Sequence, residues 1–354
     1  MLHVEAQITL GDFALEVTVE AGPGECLALA GRSGAGKSTV LRVVGGLLRP
    51  ERGVVRCGDR LWLDTERGVN VAPDQRRCGY VFQDYALFEH LSAWQNVAYG
   101  LRHLPRRERR QRAEELLDRF GLASRASARP HTLSGGERQR VAVARAIAPE
   151  PRALLLDEPL SALDAGTRAG AARELGAVLR DAQVPSILVT HDFSEAAALG
   201  DRVAVIDAGR VVQEGTAGQL AAAPASAFVA DFAGAVVLTG IARRGEEGLT
   251  VVDLDGGDQL RSTDTAEGRV AASIYPWEIV IEPLTAPHTG SARNRLAAEV
   301  LSVTLVGGRV RLGLNAGQPL VAEVSEAAVG ELDLQPGARI AASWKAAATR
   351  LVKA

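Results

Sequence analysis

Residues 26–44 read CLALAGRSGAGKSTVLRVV. A short apolar run passes into glycines and then into a segment with helical apolar spacing, and the turn fits G-x-x-x-x-G-K-[ST] with Gly31, Gly36, Lys37 and Ser38. Few local patterns restrict a fold so tightly. The loop needs a strand before it and a helix after it. A strand this short and this apolar is buried on both faces, so the sheet around it is mainly parallel and covered by helices. Glycines at 31, 34 and 36, with Ser33 between them, let the backbone curl until successive N–H groups converge on one anion. Lys37 adds a cation, and the hydroxyls of Ser38 and Thr39 open the helix.

Four further apolar runs, CGYVFQ, ALLLDE, SILVTHD and RVAVIDAG, alternate with helix-like segments up to about residue 220, as expected of an α/β sheet. Their ends carry the chemistry. Two carboxylates closing a buried strand, Asp157 and Glu158, are costly without a cation and a reacting water. Asp157 suits the shell of a Mg²⁺ ion together with Ser38, and Glu158 is placed to polarise an attacking water. Gln83 offers an amide oxygen to the metal or the water, and His191 an imidazole N–H to a γ-phosphate. Between Asp84 and Glu150 the pattern becomes helix after helix, with the arginine-rich RHLPRRERRQR at 102–112 read mainly as a solvated face. LSGGERQR, from Leu133 to Arg140, is a second glycine-rich helix start.

In this order, GRSGAGKST, VFQD, LSGGERQR, LLLDEP, SALD and VTHD closely resemble the ATP-binding subunit of an ABC transporter, over about residues 1–220. The resemblance implies ATP and Mg²⁺ as cofactors, and catalysis by Glu158 with Gln83 and His191. It also implies two copies packed head to tail, in which Ser134, Gly135 and Gly136 of one cover the γ-phosphate held by the P-loop of the other. Asp164 then lies at the seam, and Phe13 is the candidate ring for adenine. The segment Asp84–Leu101, with Tyr85, Phe88, Trp94 and Tyr99, takes the place of the groove that receives a short coupling helix of a membrane permease.

The start of the chain, MLHVEAQITLGDF, alternates like a strand, and no stretch approaches the ~20 apolar residues of a membrane span. Three cysteines, Cys26, Cys57 and Cys78, form neither a disulfide framework nor a paired zinc spacing. A peripheral subunit at the cytoplasmic face of the membrane is therefore expected. The formal charge of −3, from 40 basic and 43 acidic residues, supplies no field to draw nucleic acid. ABC-type ATPases of DNA repair or translation are the alternative class. A single cassette, with Lys37 and Ser134 close in sequence, speaks against them.

The expected domains are an ATPase at 1–225, a linker at 226–235 and a β-rich tail at 236–354. LDGGDQL (254–260) resembles LNAGQPL (314–320), and GRVAAS (268–273) resembles GARIAAS (337–343), which predicts two related β units at about 236–284 and 291–354. SARN, Ser291 to Asn294, concentrates hydroxyl, guanidinium and amide donors, and donors without acceptors suit an oxyanion. With SWKA at 343–346, this tail resembles the small molybdate-binding β-barrel domains of the MOP/TOBE type. By position the resemblance implies an anion held by Ser291, Arg293, Lys345 and Ser325. Fold class is thus a P-loop NTPase of ABC type followed by a small all-β barrel-like domain. The combination implies the energy subunit of a molybdate or tungstate importer, served indirectly by a periplasmic or extracellular oxyanion-binding protein. Sulfate, ferric iron, polyamine and sugar importers remain alternatives.

Overall fold

The structure is a computed structural model and describes residues 1–245, 248–286 and 290–353. The chain divides into two compact units, 1–217 and 218–354. In the first, β1 (Leu2–Leu10), β2 (Phe13–Ala21), β3 (Cys26–Ala30), β4 (Arg52–Cys57), β5 (Arg60–Asp64), β6 (Val69–Asn70), β7 (Cys78–Val81), β8 (Ala153–Asp157), β9 (Ser186–Thr190), β10 (Arg202–Asp207) and β11 (Arg210–Gly215) share one sheet. Its order is β6-β5-β4-β1-β2-β11-β10-β3-β9-β8-β7. β10, β3, β9, β8 and β7 run parallel to one another. Every residue of β3, β8 and β9 is buried, as two covered faces require, whereas β1 and β2 alternate buried and exposed.

The helices are α1 (Lys37–Val44), α2 (Pro73–Arg76), α3 (Ala93–Val97), α4 (Arg106–Arg119), α5 (Gly135–Ile147), α6 (Ala165–Ala182) and α7 (Phe193–Leu199). α3, α4 and α5 make the expected helical insertion and have a core of their own around Val97, Leu117, Leu122 and Val141. Behind the phosphate loop, Arg76 is buried, and among the described residues no carboxylate pairs with it. Its guanidinium donates to the carbonyls of Val43 and Val44 at 2.8 Å and of Val71 at 2.9 Å, and to Asn70 Oδ1 at 3.1 Å. It therefore caps the C-terminal end of α1, where a cation also meets the helix dipole. Arg76→Met is expected to cost about 3 kcal/mol, because the C-terminal carbonyls of α1 lose a charged donor. Thermal unfolding of the ATPase unit reads this out.

The second unit opens with α8 (Ala217–Ala222), which starts at the division, and α9 (Ala227–Phe232). Residues 226–235, expected as a linker, are mostly helix: Ser226 Oγ caps α9 at Val229 N–H, and α9 packs on the first β strand of the tail and its partner. The division accordingly falls ahead of the expected boundary. The strands are β12 (Val236–Arg244), β13 (Thr250–Leu254), β14 (Gln259–Ser262), β15 (Gly268–Ile274), β16 (Val280–Pro283), β17 (Asn294–Val306), β18 (Arg309–Asn315), β19 (Pro319–Val324), β20 (Arg339–Trp344) and β21 (Arg350–Lys353), with α10 (Glu326–Glu331) after β19.

They form two five-stranded sheets, ordered β14-β13-β12-β15-β21 and β16-β20-β17-β18-β19. The internal repeat is visible in the pairing: Val236 stands opposite Ile274 and Asn294 opposite Trp344. The two β units are not separate, however. Each gives its last strand to the other, β16 joining β20 and β21 joining β15, around one shared core. At one corner that core is polar. The Asn294 amide accepts from Arg261 N–H at 2.6 Å and donates to Arg261 C=O at 2.9 Å and Thr349 Oγ1 at 3.2 Å, while Trp344 Nε1 donates to Thr349 Oγ1 at 2.9 Å. The counterparts in the other half are Val236, Ile274 and Ile279, all buried. Asn294→Ala strands these groups and is expected to destabilise the tail by about 2–3 kcal/mol, seen as a lower unfolding temperature.

Candidate functional site

α1 has Gly36 as its N-cap, in a left-handed conformation that suits glycine (φ 98°), and no side chain caps it. The first N–H groups of the helix are thus left for an anion. Gly31 and Gly34 also have positive φ, 148° and 83°. A β-carbon on Gly31 would come within 2.2 Å of the Ile206 carbonyl oxygen, so the loop's start admits only glycine. Ser33 and Gly34 are exposed at its crest, and Ser38 and Thr39 are half-buried in the first turn of α1. The Lys37 ammonium bends back over the loop and donates to the carbonyls of Gly31 and Arg32, each at 2.8 Å. Burial lowers its pKa, and the carboxylates of Glu158 and Asp157 oppose that shift. The Phe13 ring lies against the same loop, its Cζ 2.8 Å from where a Gly36 β-carbon would stand.

Asp157 closes β8 beside this loop. Ser38 Oγ donates to its Oδ1 at 2.8 Å and the Tyr80 hydroxyl to its Oδ2 at 3.5 Å. Burial raises the Asp157 carboxyl above the ordinary carboxylate range. Glu158 follows with φ 44°, a strained backbone for a residue with a β-carbon. Its N–H donates to Val189 C=O at 2.9 Å and its C=O accepts from Ser161 Oγ at 2.8 Å, so the unusual conformation is held from both sides. The carboxylate then meets both expected partners on one oxygen: Gln83 Nε2 at 3.3 Å and His191 Nδ1 at 3.2 Å from Oε2. His191 is held in turn by its neighbours. The Thr190 hydroxyl donates to Glu195 at 2.6 Å and accepts from Asp192 N–H at 3.0 Å, and Asp192 caps α7.

Ser134, Gly135 and Gly136 open α5. Ser134 Oγ accepts from Glu137 N–H at 3.2 Å, and the Glu137 carboxylate accepts from Ser134 N–H at 2.8 Å, a reciprocal cap. That backbone bond, more than the Arg125 guanidinium at 2.9 Å, holds the Glu137 pKa down. A β-carbon on Gly136 would meet nothing nearer than Arg140 Nη1 at 4.0 Å. Asp164 caps α6 through Gly166 and Thr167 N–H.

In the insertion, Tyr85 is buried and its hydroxyl donates to Pro159 C=O at 3.2 Å. Phe88 packs on Tyr99 at 4.4 Å between ring centroids, and the Asn96 amide spans Phe88 N–H and C=O. Trp94 and Tyr99 line a cleft of about 300 Å³ with Arg102, Arg106 and Arg109. Part of the arginine-rich run pairs within the fold, as in Arg110–Glu114 at 2.9 Å and Arg112–Glu150 at 2.8 Å.

In the tail, Asn294 stands opposite Trp344 as the last pair of the ladder, and Arg293 and Lys345, which flank it in sequence, are both exposed. Ser291 is exposed two residues earlier. One expected donor is spent elsewhere: the Asn294 amide is buried in the polar corner just described. Ser325 Oγ caps α10, accepting from Ala328 N–H at 3.3 Å. Tyr80 beside Asp157 and the Thr190–Glu195 bond behind His191 were not read from the sequence. A tyrosine or threonine within an apolar strand looks like any other strand residue until the neighbouring strand is in place.

A glycine-lined anion loop, a strand-end carboxylate pair and two polar side chains on one oxygen of the second carboxylate define a P-loop nucleoside-triphosphate hydrolase. Residues 15–161 match the ABC transporter family model and residues 290–351 the TOBE domain model. The sulfate/thiosulfate import ATP-binding protein CysA 2 of Chromobacterium violaceum is 41% identical, over 92% of this chain and 87% of its own. The molybdenum import ATP-binding protein ModC of Mycobacterium tuberculosis is 38% identical, over 98% of this chain and 96% of its own. An ATP-binding cassette solved as a post-hydrolysis dimer with ADP and phosphate superposes with a TM-score of 0.52 at 31% identity, covering 61% of this chain and 98% of that one. The chain belongs to the ATP-binding subunits of ABC importers, ATPases coupled to transport. Among the described residues, no helix is long and apolar enough to cross a membrane.

Proposed function

We propose that the chain hydrolyses ATP as a head-to-tail pair of identical subunits on the cytoplasmic face of a membrane permease, and that the cargo is molybdate or tungstate. The P-loop and the free N–H groups of α1 take the β- and γ-phosphates, with Lys37 turning from its own carbonyls to the nucleotide. Mg²⁺ fits the donors present, since the Ser38 hydroxyl and the Asp157 carboxylate lie 2.8 Å apart and offer hard oxygens. Rotation of the Gln83 amide would add a third. When bound, the ion neutralises charge on the phosphates.

The protein's own part is to aim a water. Glu158 is the general base, oriented by its pinned backbone, and His191 and Gln83 hold the water and the γ-phosphate in line with it. Ser134, Gly135 and Gly136 present a helix N-terminus to the partner's γ-phosphate. The exposed Tyr99, with the half-buried Phe88 and Trp94, forms the permease groove.

Cargo choice rests on one observation: Arg293 and Lys345, both exposed, flank the last pair, Asn294 and Trp344, of β17 and β20. Two adjacent cations repel one another until a dianion joins them. Similarity to ModC supports molybdate, whereas similarity to CysA keeps sulfate as the second reading. Cells in which this chain carries Glu158→Gln are expected to lose uptake of labelled molybdate and keep that of sulfate. Loss of sulfate uptake alone would reverse the assignment.

A further inference from the structure

The corner of the tail that carries Arg293 and Lys345 also holds a residue from the other half. Arg261, on β14, is exposed, and its Nη1 donates to the Arg293 carbonyl at 3.3 Å. Its backbone is clasped by the Asn294 amide, so Arg261 is fixed beside the residue that follows Arg293. Nearby carboxylates are occupied: Glu282 faces Arg295 at 3.7 Å and Asp264 faces Arg350 at 3.1 Å. Among the described residues, none of Arg261, Arg293 and Lys345 has a carboxylate within ion-pair distance. One hydrogen bond to a carbonyl leaves most donors of the Arg261 guanidinium available.

The internal repeat supplies a control within the molecule. The equivalence of Val236 with Asn294 places Ala235 where Arg293 stands. Alignment of GRVAAS with GARIAAS places Tyr275 at Lys345, and alignment of Leu260 with Leu320 places Val321 at Arg261. The cationic trio and its clamping Asn294 are therefore replaced together, by Ala235, Tyr275, Val321 and Val236. The Tyr275 hydroxyl is itself engaged, donating to Ala221 C=O at 3.1 Å. Three cations without a carboxylate partner among the described residues thus gather at one of two related corners.

We propose that Arg261 is the third cation of the oxyanion site formed with Arg293 and Lys345, so that one tetrahedral dianion per chain bridges the two halves of the tail. The proposal rests on the oxyanion reading above and adds to it a ligand from the first half. Because the halves already share strands, an anion held between them stiffens the corner where β14 meets β17. The related corner, with Ala235, Tyr275 and Val321, takes none.

The test is calorimetric titration of the full chain with sodium molybdate, and in parallel with tungstate, sulfate and phosphate, at fixed moderate salt. The unaltered chain is expected to saturate at one molybdate. Arg261→Gln keeps a donor for the Arg293 carbonyl but removes the charge, and is expected to bind about tenfold or more weakly. Arg261→Lys retains most of the affinity, and Arg309→Ala, at the hairpin end of β17 away from Arg293, is unchanged. Unaltered affinity in Arg261→Gln, or equal losses in the Gln and Lys variants, would overturn the role of Arg261 while leaving the oxyanion reading intact. Two anions per chain would overturn the silence of the related corner. If the unaltered chain took none of the four anions, the oxyanion reading would fail and the role of Arg261 with it.

Discussion

Replacing Glu158 with Gln is expected to lower steady-state ATP turnover by about 10²–10⁴-fold, the range associated with loss of a general base, while ATP is still bound. The backbone that aims this side chain is held by Val189 C=O, Ser161 and the neighbouring strand, none of which depends on the carboxylate. Gln is also isosteric, so the variant changes charge and basicity rather than position. Two consequences separate this from a general weakening. Nucleotide affinity remains near that of the unaltered chain, because the loop and Lys37 are untouched. With hydrolysis stopped, the ATP-bound pair no longer falls apart, and light scattering in ATP shows a lasting dimer. Lys37→Ala gives the opposite pattern, losing the nucleotide and the dimer together. Normal turnover in Glu158→Gln would remove it from the role of base.

Much of this site was legible before the fold was known, because its parts are local. A glycine loop between strand and helix, a second glycine-rich helix start at LSGGERQR and an Asp-Glu pair at the end of an apolar run each declare themselves within ten residues. What was not legible depends on partners far away in sequence. Tyr80 reaches Asp157 only because β7 and β8 are neighbours, and Thr190 matters only because Glu195 turns back on it from α7.

The tail makes the same point more sharply. Its repeat could be seen in the sequence, but the exchange of β16 and β21 could not, since nothing local distinguishes a strand that pairs within its own half from one that crosses. Asn294 was read as an anion donor from the company it keeps in SARN, and its burial reversed that reading. Arg261, which no motif marks, was brought to Arg293 by the same buried amide.

Gly136→Asp is expected to abolish ATP turnover, by about a hundredfold or more, without weakening the fold. Within one chain nothing demands glycine here: Gly136 lies in the first turn of α5 with no positive φ, and its missing side chain faces open space. A residue other than glycine raises helix propensity, and an acid near a helix N-terminus is favoured by the dipole. The unfolding temperature should therefore hold or rise. The same carboxylate would stand where the partner's γ-phosphate is proposed to lie, and two anions exclude one another. Mixing then tests the arrangement itself. Lys37→Ala and Gly136→Asp chains are each inactive alone, yet a head-to-tail pair of one with the other contains one site with a sound P-loop and a sound signature, and the second site carries both defects. Partial recovery of hydrolysis on mixing is the expected result. If each chain instead used its own signature on its own nucleotide, every site in the mixture would keep one defect and no activity would return.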